Sequence, residues 1–455
     1  MTESGPMSSP AQSTDGAPAL AKPRARLADL RRVFGASGRQ FGILGALVAI
    51  IVFFQVLTGG KTLDPINLLN LVNGNAYVLI LAIGMVLVII AGHIDLSVGS
   101  VAAFAGIIVA ISVNQWHWAW PLALLLGLGV GALVGAWQGF WVAYVGVPAF
   151  IVTLAGMLIF RGANQFVGNS TSVSLPGSDS FAFIGSGYLP DPAWGVQLNL
   201  STVVLGVLAI GGVVLREALL RRRARRMAAD AGPLWVAVVR AVLLIAVIGG
   251  ATYLFAKGPL GTSFPVAGVI LVILVLGYSF LANRTIIGRH IYAVGGNWRA
   301  AELSGVKIRR VNFFVMMNMS IIAAFAGEMW VARAAASGPG DGIGWELDAI
   351  AAVFIGGAAV SGGIGTIVGS VVGGLVIAVL NNGLSLLGVS SDRVQIIKGL
   401  VLLIAVGIDV YSKSRGRPSI IARLQRRAMS PTAEVAPPDR EPLDRAPADT
   451  GGADS

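Results

Sequence analysis

Twelve stretches of this 455-residue chain are apolar enough and long enough to cross a lipid bilayer. Each is rich in Leu, Val, Ile, Ala and Gly and runs for about 20 residues, the length that spans the hydrocarbon core. Because lipid offers the backbone no hydrogen-bond partners, such stretches fold as helices. They cover residues 41–58, 74–92, 97–114, 119–141, 147–167, 199–215, 234–256, 265–283, 312–334, 346–362, 365–386 and 394–411. The sequence therefore predicts an all-α fold, a polytopic membrane helix bundle with about 12 transmembrane segments.

Two pairs of these segments, the second with the third and the tenth with the eleventh, are short and joined by Gly-rich turns. We predict broken or re-entrant helices there, which are tolerated only inside a bundle or along a cavity. The ten residues that start at Gly92 match those that start at Gly362 at six positions. Duplicated halves with interrupted helices are typical of transporters and mark the pathway. Close packing of small residues is the competing explanation.

The basic residues orient the segments. If the N-terminus is cytoplasmic and every segment crosses, 26 of the 33 Lys and Arg residues fall on the cytoplasmic side. They lie before residue 40, within 216–226 and 284–310, and after residue 412. This asymmetry follows the positive-inside rule, so both termini are predicted to be cytoplasmic. It also accounts for the formal charge of +11 without nucleic acid as a partner.

Three regions follow from this arrangement. Residues 1–40, rich in Ser, Pro and Ala and then basic, are predicted to be a disordered cytoplasmic tail. Residues 41–412 are predicted to be the transmembrane domain, in which 284–311 is a cytoplasmic loop. Residues 413–455 are predicted to be a second disordered cytoplasmic tail. No secretory signal is expected, because no apolar core with a small-residue cleavage site precedes the first segment.

Residue content excludes several kinds of chemistry. The chain has no Cys and three His, which excludes thiolate centres and leaves few ligands for a His-built metal site. It also lacks the Gly-x-x-x-x-Gly-Lys-Ser/Thr phosphate loop that binds nucleotides. A membrane-embedded enzyme would need clustered catalytic groups at one membrane face. We therefore predict no catalytic, cofactor or metal site.

Ionisable residues are rare within the segments, and most lie near segment ends, where long side chains snorkel to the interface. They are Asp95, Arg161, Glu328, Arg333, Asp348, Lys398 and Asp409. Glu328 and Arg333 either pair or each face a wet cavity. The sequence shows no convincing proton relay, which disfavours the alternative transport mechanism, a twelve-span secondary sugar porter.

The cytoplasmic loop contains a candidate docking element. A helix start is predicted at Gly295, Gly296 and Asn297, because Gly allows a turn and Asn caps the helix. Residues 298–304 form a short amphipathic helix, which Gly305 ends. A short helix on the basic face suits a cytosolic partner, and an interfacial helix lying on lipid is the alternative.

Several segments together resemble the permease subunit of bacterial ABC importers for monosaccharides of the ribose/xylose/galactose type. They are residues 92–100, 147–157, 160–162, 288–297, 304–305, 346–352 and 355–357. The resemblance covers roughly residues 40–412. Most members of this group resemble a ten-span design. The additional pair at about 199–256, with its Arg cluster, is similar to the xylose-type branch.

The resemblance implies a transport subunit of the bacterial inner membrane that is not itself an enzyme. It implies translocation of D-xylose or a related aldose by alternating access, driven by ATP hydrolysis in a partner. The implied partners are an ABC ATPase with two nucleotide sites, an extracytoplasmic sugar-binding protein and a second permease copy that completes a homodimer.

Residues 299–305 resemble the coupling motif Glu-Ala-Ala-x-x-x-Gly of ABC permeases. Arg299 replaces the Glu of that motif, so a Glu-specific contact is not implied, whereas the spacing from Ala301 to Gly305 is kept. The predicted ATPase-coupling residues are Gly288, Arg289, Gly295, Gly296, Asn297, Arg299, Ala300, Ala301 and Gly305.

A neutral sugar in transit is expected to meet weak polar contacts and glycine surfaces. The candidate pathway residues are Asn70, Asn73, Asn75, Asp95, Asn164, Gln165, Asn318, Glu328, Asn381 and Asn382. For each amide the competing role is interhelical hydrogen bonding, which contributes about 0.6 kcal/mol. For Asp95 we favour a structural role as the cap of a helix that starts near Leu96.

Overall fold

The computed structural model describes residues 42–175, 179–192, 198–227 and 234–414. The predicted N-terminal tail and nearly all of the predicted C-terminal tail lie outside these residues. Residues up to Gly407 form one compact unit, and a second unit begins at Ile408. The described part of the second unit is the end of the last helix.

The described residues form helices with two very short strands. The helices are α1 (Gly42–Leu57), α2 (Pro65–Ile90), α3 (Val98–Asn114), α4 (Trp120–Phe140), α5 (Ala149–Val167), α6 (Asp179–Ser186), α7 (Leu200–Arg226), α8 (Leu234–Ala256), α9 (Val266–Arg284), α10 (Ile286–Gly296), α11 (Trp298–Leu303), α12 (Ile308–Ala334), α13 (Trp345–Ile355), α14 (Ile367–Leu386) and α15 (Ser391–Ser414). A short 3-10 turn, Lys61–Leu63, precedes α2, and a π turn, Trp141–Val145, extends α4. Strands β1 (Val173–Ser174) and β2 (Ala336–Ser337) pair antiparallel. The all-α prediction is confirmed.

Each of the twelve predicted segments contains a helix. Within the described residues, eight helices are long and apolar enough to cross a membrane, and the shorter α1 and α3 are apolar. The eight are α2, α4 with its π turn, α5, α7, α8, α9, α12 and α14. The number of crossings and the cytoplasmic location of the termini stay predictions.

The two predicted interruptions have different outcomes. Helix α13 has 11 residues, which rise about 16 Å, or half of the hydrocarbon core, so this segment is broken as predicted. The predicted break in α2 is wrong, because this helix runs continuously for 26 residues. It begins nine residues before the apolar stretch, at Pro65, where the Asp64 side chain caps the first amides. The asparagines in the first turns of α2 lower the hydropathy there, so the predicted segment began too late.

The core forms where α12 packs against α2, α3 and α4. Four glycines at every fourth position of α4 line its face toward α12: Gly127, Gly131, Gly135 and Gly139. A methyl carbon added to Gly131 would lie 2.7 Å from the backbone oxygen of Ser320. Small residues at this spacing let two membrane helices approach closely. The central part of α2 packs against α9, α12, α13 and α14 and is almost wholly buried.

Helices α7 and α8 pack on each other at the edge of the bundle, and almost none of their side chains are buried. They correspond to the two predicted segments that a ten-span design lacks. The two ends of this hairpin meet at Asn199, whose amide group is buried. Its side chain donates to the carbonyl oxygens of Gly258 at 3.1 Å and Pro259 at 3.2 Å, and its backbone donates to Ala256.

Candidate functional site: an outer cavity and an inner glycine junction

A cavity of about 910 Å³ lies among α2, α5, α12, α13, α14 and α15. Its wall is formed by the first halves of α2 and α15, the second halves of α5, α12 and α14, and the start of α13. In the orientation that the cations predict, all of these parts lie toward the extracytoplasmic face. We call this space the outer cavity.

Two ion pairs line the outer cavity, and both involve the first turns of α13. The Nζ of Lys398 on α15 lies 2.9 Å from Oδ2 of Asp348, and the guanidinium of Arg161 on α5 lies 3.8 Å from Oε1 of Glu346. The Lys398 and Asp348 side chains are 25% and 3% exposed, and those of Arg161 and Glu346 are 31% and 9% exposed, so the first pair is shorter and slightly more buried. The start of a helix also favours negative charge. Because cations and carboxylates are equal in number among the lining residues, the wall is polar without a net charge.

An aromatic cluster borders the same space. The rings of Tyr77 and Trp345 are 4.2 Å apart between centroids, and Trp330 packs edge-on at 5.2 Å from each. The loop residue Asp341 bonds to the Trp330 side chain, and burial raises the pKa of this carboxyl while hydrogen bonds oppose the change. Aromatic rings beside amide and charged side chains form a wall with apolar faces and fixed polar groups, as in small-molecule sites.

Two of the amides predicted to line a pathway lie on the wall of the outer cavity, Asn381 and Asn75. Asn381 hydrogen-bonds to the Asp348 carboxylate, and the Asn75 side chain donates to the Leu71 carbonyl oxygen at 3.0 Å. With Gln395 of α15, the cavity combines three amides, two ion pairs and an aromatic cluster from helices that are far apart in sequence.

Three predicted amides instead join other parts of the bundle. Asn382 exchanges hydrogen bonds of 2.8 and 2.9 Å with Asn67 of α2. Asn164 donates to the loop that precedes α13, and Asn318 accepts from a tyrosine of α9 at 2.7 Å. These contacts match the competing role of interhelical hydrogen bonding.

The remaining predicted pathway residues also lie outside the outer cavity. Asn70 and Gln165 are exposed, and Asn73 is buried. Glu328 is buried where α12 meets the glycine face of α4. Within the described part of the chain no ion pair joins it to Arg333, so the pairing that the sequence left open is not formed.

Sequence reasoning missed the aromatic cluster and the ion pairs. Arg161 and Lys398 lie near segment ends, where snorkelling was the expected behaviour. One signal was present in the sequence: Trp345, Glu346 and Asp348 follow a Gly-rich loop at the start of a broken helix, and irregular backbone within a bundle lines cavities.

At the opposite end of the bundle, the turn between α2 and α3 is closed by a buried polar network. Asp95 is fully buried, and its Oδ1 accepts from the backbone N–H of Ser97 at 2.8 Å and from its hydroxyl at 2.6 Å. Gln138 of α4 donates to the same hydroxyl at 2.8 Å. Burial raises the pKa of Asp95 to about 6, although the bonds from Ser97 act against this change. Asp95 closes this turn rather than capping a helix at Leu96, since α3 begins at Val98.

The predicted docking helix is present as α11. The side chain of Asn297 caps it by accepting from the Ala300 N–H at 3.1 Å, and Gly305 after its end has a φ of +85°. Ala301 is buried, whereas Arg299 is exposed. We call α10, α11 and Gly305 the coupling segment. Its other predicted members fall on α10, where Gly288 is buried and Arg289 is exposed.

The predicted turn at Gly295 and Gly296 is wrong, because both residues are helical and end α10. Gly295 serves close packing instead. A methyl carbon added to it would lie 1.6 Å from the Ile90 carbonyl oxygen and 2.7 Å from the Gly363 nitrogen. The Gly363 N–H in turn donates to the Ile90 oxygen at 2.8 Å, and the neighbouring Gly362 packs on Gly92. We call this meeting of three backbones the glycine junction.

Comparison with known proteins places the chain among transport permeases. The family described as "Branched-chain amino acid transport system / permease component" matches residues 67–406. The xylose transport system permease protein XylH of Haemophilus influenzae is 40% identical over 373 residues, which cover 82% of this chain and 96% of the relative.

Two further relatives agree. XylH of Escherichia coli K12 is 40% identical over 375 residues, covering 82% of this chain and 92% of the relative. The ribose import permease protein RbsC of the same strain is 32% identical over 373 residues, covering 80% of this chain and 92% of the relative. No solved structure matches the chain.

The resemblance to the xylose-type branch of monosaccharide permeases is thereby confirmed. The relatives are named as permeases and not as enzymes, and the long apolar helices agree with a multi-pass protein of the inner membrane. This chain belongs to the family of branched-chain amino acid transport system permease components, and its similarity within that family is to sugar permeases.

Proposed function

We propose that this chain is the membrane subunit of an ABC importer that carries D-xylose or a related aldose into the cell. The observation that carries the proposal is the composition of the outer cavity, which combines an aromatic cluster, three amides and charge-balanced ion pairs. The names of the relatives support the class of substrate.

The wall of the outer cavity suits a neutral polyhydroxylated molecule. Amide and carboxylate groups bind hydroxyls, and aromatic rings pack against the apolar faces of a sugar ring. Because each cation in the wall already has a carboxylate partner, an ionic substrate would have to displace one of them at a cost. A neutral sugar needs no such exchange.

Energy for uptake comes from a partner in this proposal. A neutral sugar offers the membrane potential no charge on which to act, so accumulation against a gradient needs another source. The exposed coupling segment on the basic face supplies a surface on which an ATPase with two nucleotide sites docks. A sugar-binding protein delivers the sugar at the opposite face, a second permease copy completes a homodimer, and alternating access follows as rigid parts rotate.

The test is uptake of labelled xylose into proteoliposomes that hold the chain with its ATPase, with the binding protein outside. Uptake should require ATP inside and should resist a protonophore. Uptake that collapses with the protonophore and persists without ATP would instead establish the secondary porter.

A matched pair of variants tests the cavity itself. Asn381→Ala removes a polar group of the wall and should raise the KM for uptake by about two- to tenfold, the equivalent of one hydrogen bond. Asn70→Ala removes an exposed amide of α2 outside the cavity and should leave KM unchanged. Equal KM values for both variants would contradict the assignment of the outer cavity to the sugar.

A further inference from the structure

We infer that Gly295 is a positioning residue through which the coupling segment moves α13 and thereby the charged wall of the outer cavity. The inference rests on the proposed function, since it assumes that an ATPase acts on the coupling segment. It adds a route by which docking at one face alters the cavity at the other.

The inner end of this route is the glycine junction. Gly295 is the penultimate residue of α10. Its α-carbon lies so close to the Ile90 and Gly363 backbones that there is no room for a side chain. Gly363 belongs to the turn of residues 356–366, which directly follows α13. A displacement of α10 therefore pushes on the backbone that ends α13.

Helix α13 is a short rod that packs on α14 and α2. It is 11 residues long and is bounded by glycines at both ends. Gly342 and Gly344 before it have φ values of +78° and +80°, and Gly357 after it has a φ of +88°. Such positions absorb changes of backbone angle at low cost, as hinges do. The rod can thus shift without unwinding.

The outer end of the rod carries Glu346 and Asp348, whose partners lie on α5 and α15. A shift of α13 along its axis moves both carboxylates past their cations. Cavity shape and ion-pair geometry then change together, although the coupling segment touches neither.

The coupling segment also packs directly on α2, α9 and α12. The last of these, α12, follows α11 in the chain. This helix runs for 27 residues without interruption and packs along α2, α3 and α4. It moves only with the core as a whole. Among the described helices that line the outer cavity, α13 is the one with glycine hinges on both sides.

The test compares two adjacent glycines of α10. Gly295→Ala introduces a methyl group into the junction, whereas at Gly296 a methyl group would meet nothing within 4 Å. In proteoliposomes with the ATPase and the sugar-loaded binding protein, Gly295→Ala should lower sugar-stimulated hydrolysis and uptake by roughly tenfold, the size of a disrupted coupling. Gly296→Ala should keep more of both than Gly295→Ala does.

A second measurement begins with a chain that keeps Gly295. The chain has no native Cys, so Leu347→Cys on the exposed side of α13 is the single site for a membrane-impermeant maleimide. In an otherwise native complex its labelling rate should change at least about threefold between the nucleotide-free and vanadate-trapped states. With Gly295→Ala added the two rates should become equal.

The outcomes separate the two proposals. If the native complex shows no sugar-stimulated hydrolysis, the proposed function fails. If the native complex is stimulated but Gly295→Ala behaves as Gly296→Ala does, or if labelling of Leu347→Cys is the same in both states, the role of Gly295 is overturned and the function stands.

Discussion

The two turns that echo each other in sequence, residues 91–97 and 356–366, are held together in different ways. The first follows a continuous 26-residue helix and is closed by side chains, with Asp95 and Ser97 bonded and Gln138 tied to them from α4. The second follows an 11-residue helix and is shaped by positive-φ glycines, with backbone contacts to α2 and α10. A shared glycine pattern thus gives a fixed anchor in one half and a hinged rod in the other.

The largest difference is expected from one substitution made in both turns. Gly92 and Gly363 both have positive φ values, +88° and +72°. A methyl group at Gly92 meets nothing within 4 Å, whereas at Gly363 it lies 2.7 Å from the Gly296 α-carbon. Gly363→Ala should lower the free energy of unfolding by about 4 kcal/mol, as strain and overpacking add. Gly92→Ala should cost about 1–2 kcal/mol, the strain alone.

Thermal unfolding in detergent measures both variants. Uptake should also be abolished by Gly363→Ala and retained in part by Gly92→Ala. Equal losses of stability in the two variants would mean that the second turn is not held by its backbone contacts.

The next prediction uses titration, because the first turn contains Asp95 and the second has no ionisable residue. The folded-state pKa of Asp95 is raised from 3.8 to about 6, so the folded state binds this proton more tightly than the unfolded state. The resulting stability is complete below pH 4 and is lost as the pH rises through about 6. The loss is at most about 3 kcal/mol for this shift.

Asp95→Asn should remove this part of the pH dependence. The measurement is the unfolding midpoint of both proteins between pH 4.5 and 7, with Asp64→Asn at the exposed start of α2 as the control. Identical slopes for native protein and Asp95→Asn would show that the first turn is not closed by a buried carboxyl.

A third prediction concerns how the hinged rod is held. Lys398→Met leaves the Asp348 carboxylate buried without its cation and should cost about 2 kcal/mol of stability. Arg161→Met removes the longer and more exposed pair and should cost under about 0.5 kcal/mol. Chemical denaturation reports both values, and the double variant Lys398→Met with Asp348→Asn should recover part of the loss. Similar costs for the two single variants would contradict the burial difference.

The smallest effect is expected at the coupling segment, which contacts the end of α2 and the second turn through the glycine junction. Asn297→Ala removes the cap of α11 and should cost about 1 kcal/mol. Asn297→Ser keeps a capping oxygen and should restore most of it. Because α11 is exposed, ATPase affinity should fall more than the unfolding temperature does. A drop in unfolding temperature without any loss of affinity would argue against docking at α11.

Features that depend on neighbouring residues in the chain were predictable from the sequence. Apolar runs located all twelve segments, and Asn297 with Gly305 gave the bounds of α11 to within one residue. The start of α2 was not predictable from hydropathy, because its polar first turns face other helices. The helical end of α10 was also missed, since Gly295 is required by a contact with Ile90 that lies two hundred residues away in the chain.

The outer cavity was largely unpredictable for the same physical reason. Tyr77, Trp330 and Trp345 meet only after three helices have packed, and Asp348 finds Lys398 fifty residues further on. Amide side chains were a reasonable prediction by residue type, yet of the predicted amides only Asn75 and Asn381 line the outer cavity. Position along a segment does not reveal which of its faces turns inward.

The α7–α8 hairpin has a consequence for how such a bundle can change in evolution. The Asn199 side chain joins its two ends by hydrogen bonds, and few of its side chains are buried against the core. An element whose two ends lie at one point of a structure can be inserted or deleted in one genetic event, without redesign of the helices around it. The same geometry makes the hairpin a natural place to graft a reporter domain or to excise a module when a minimal permease is built.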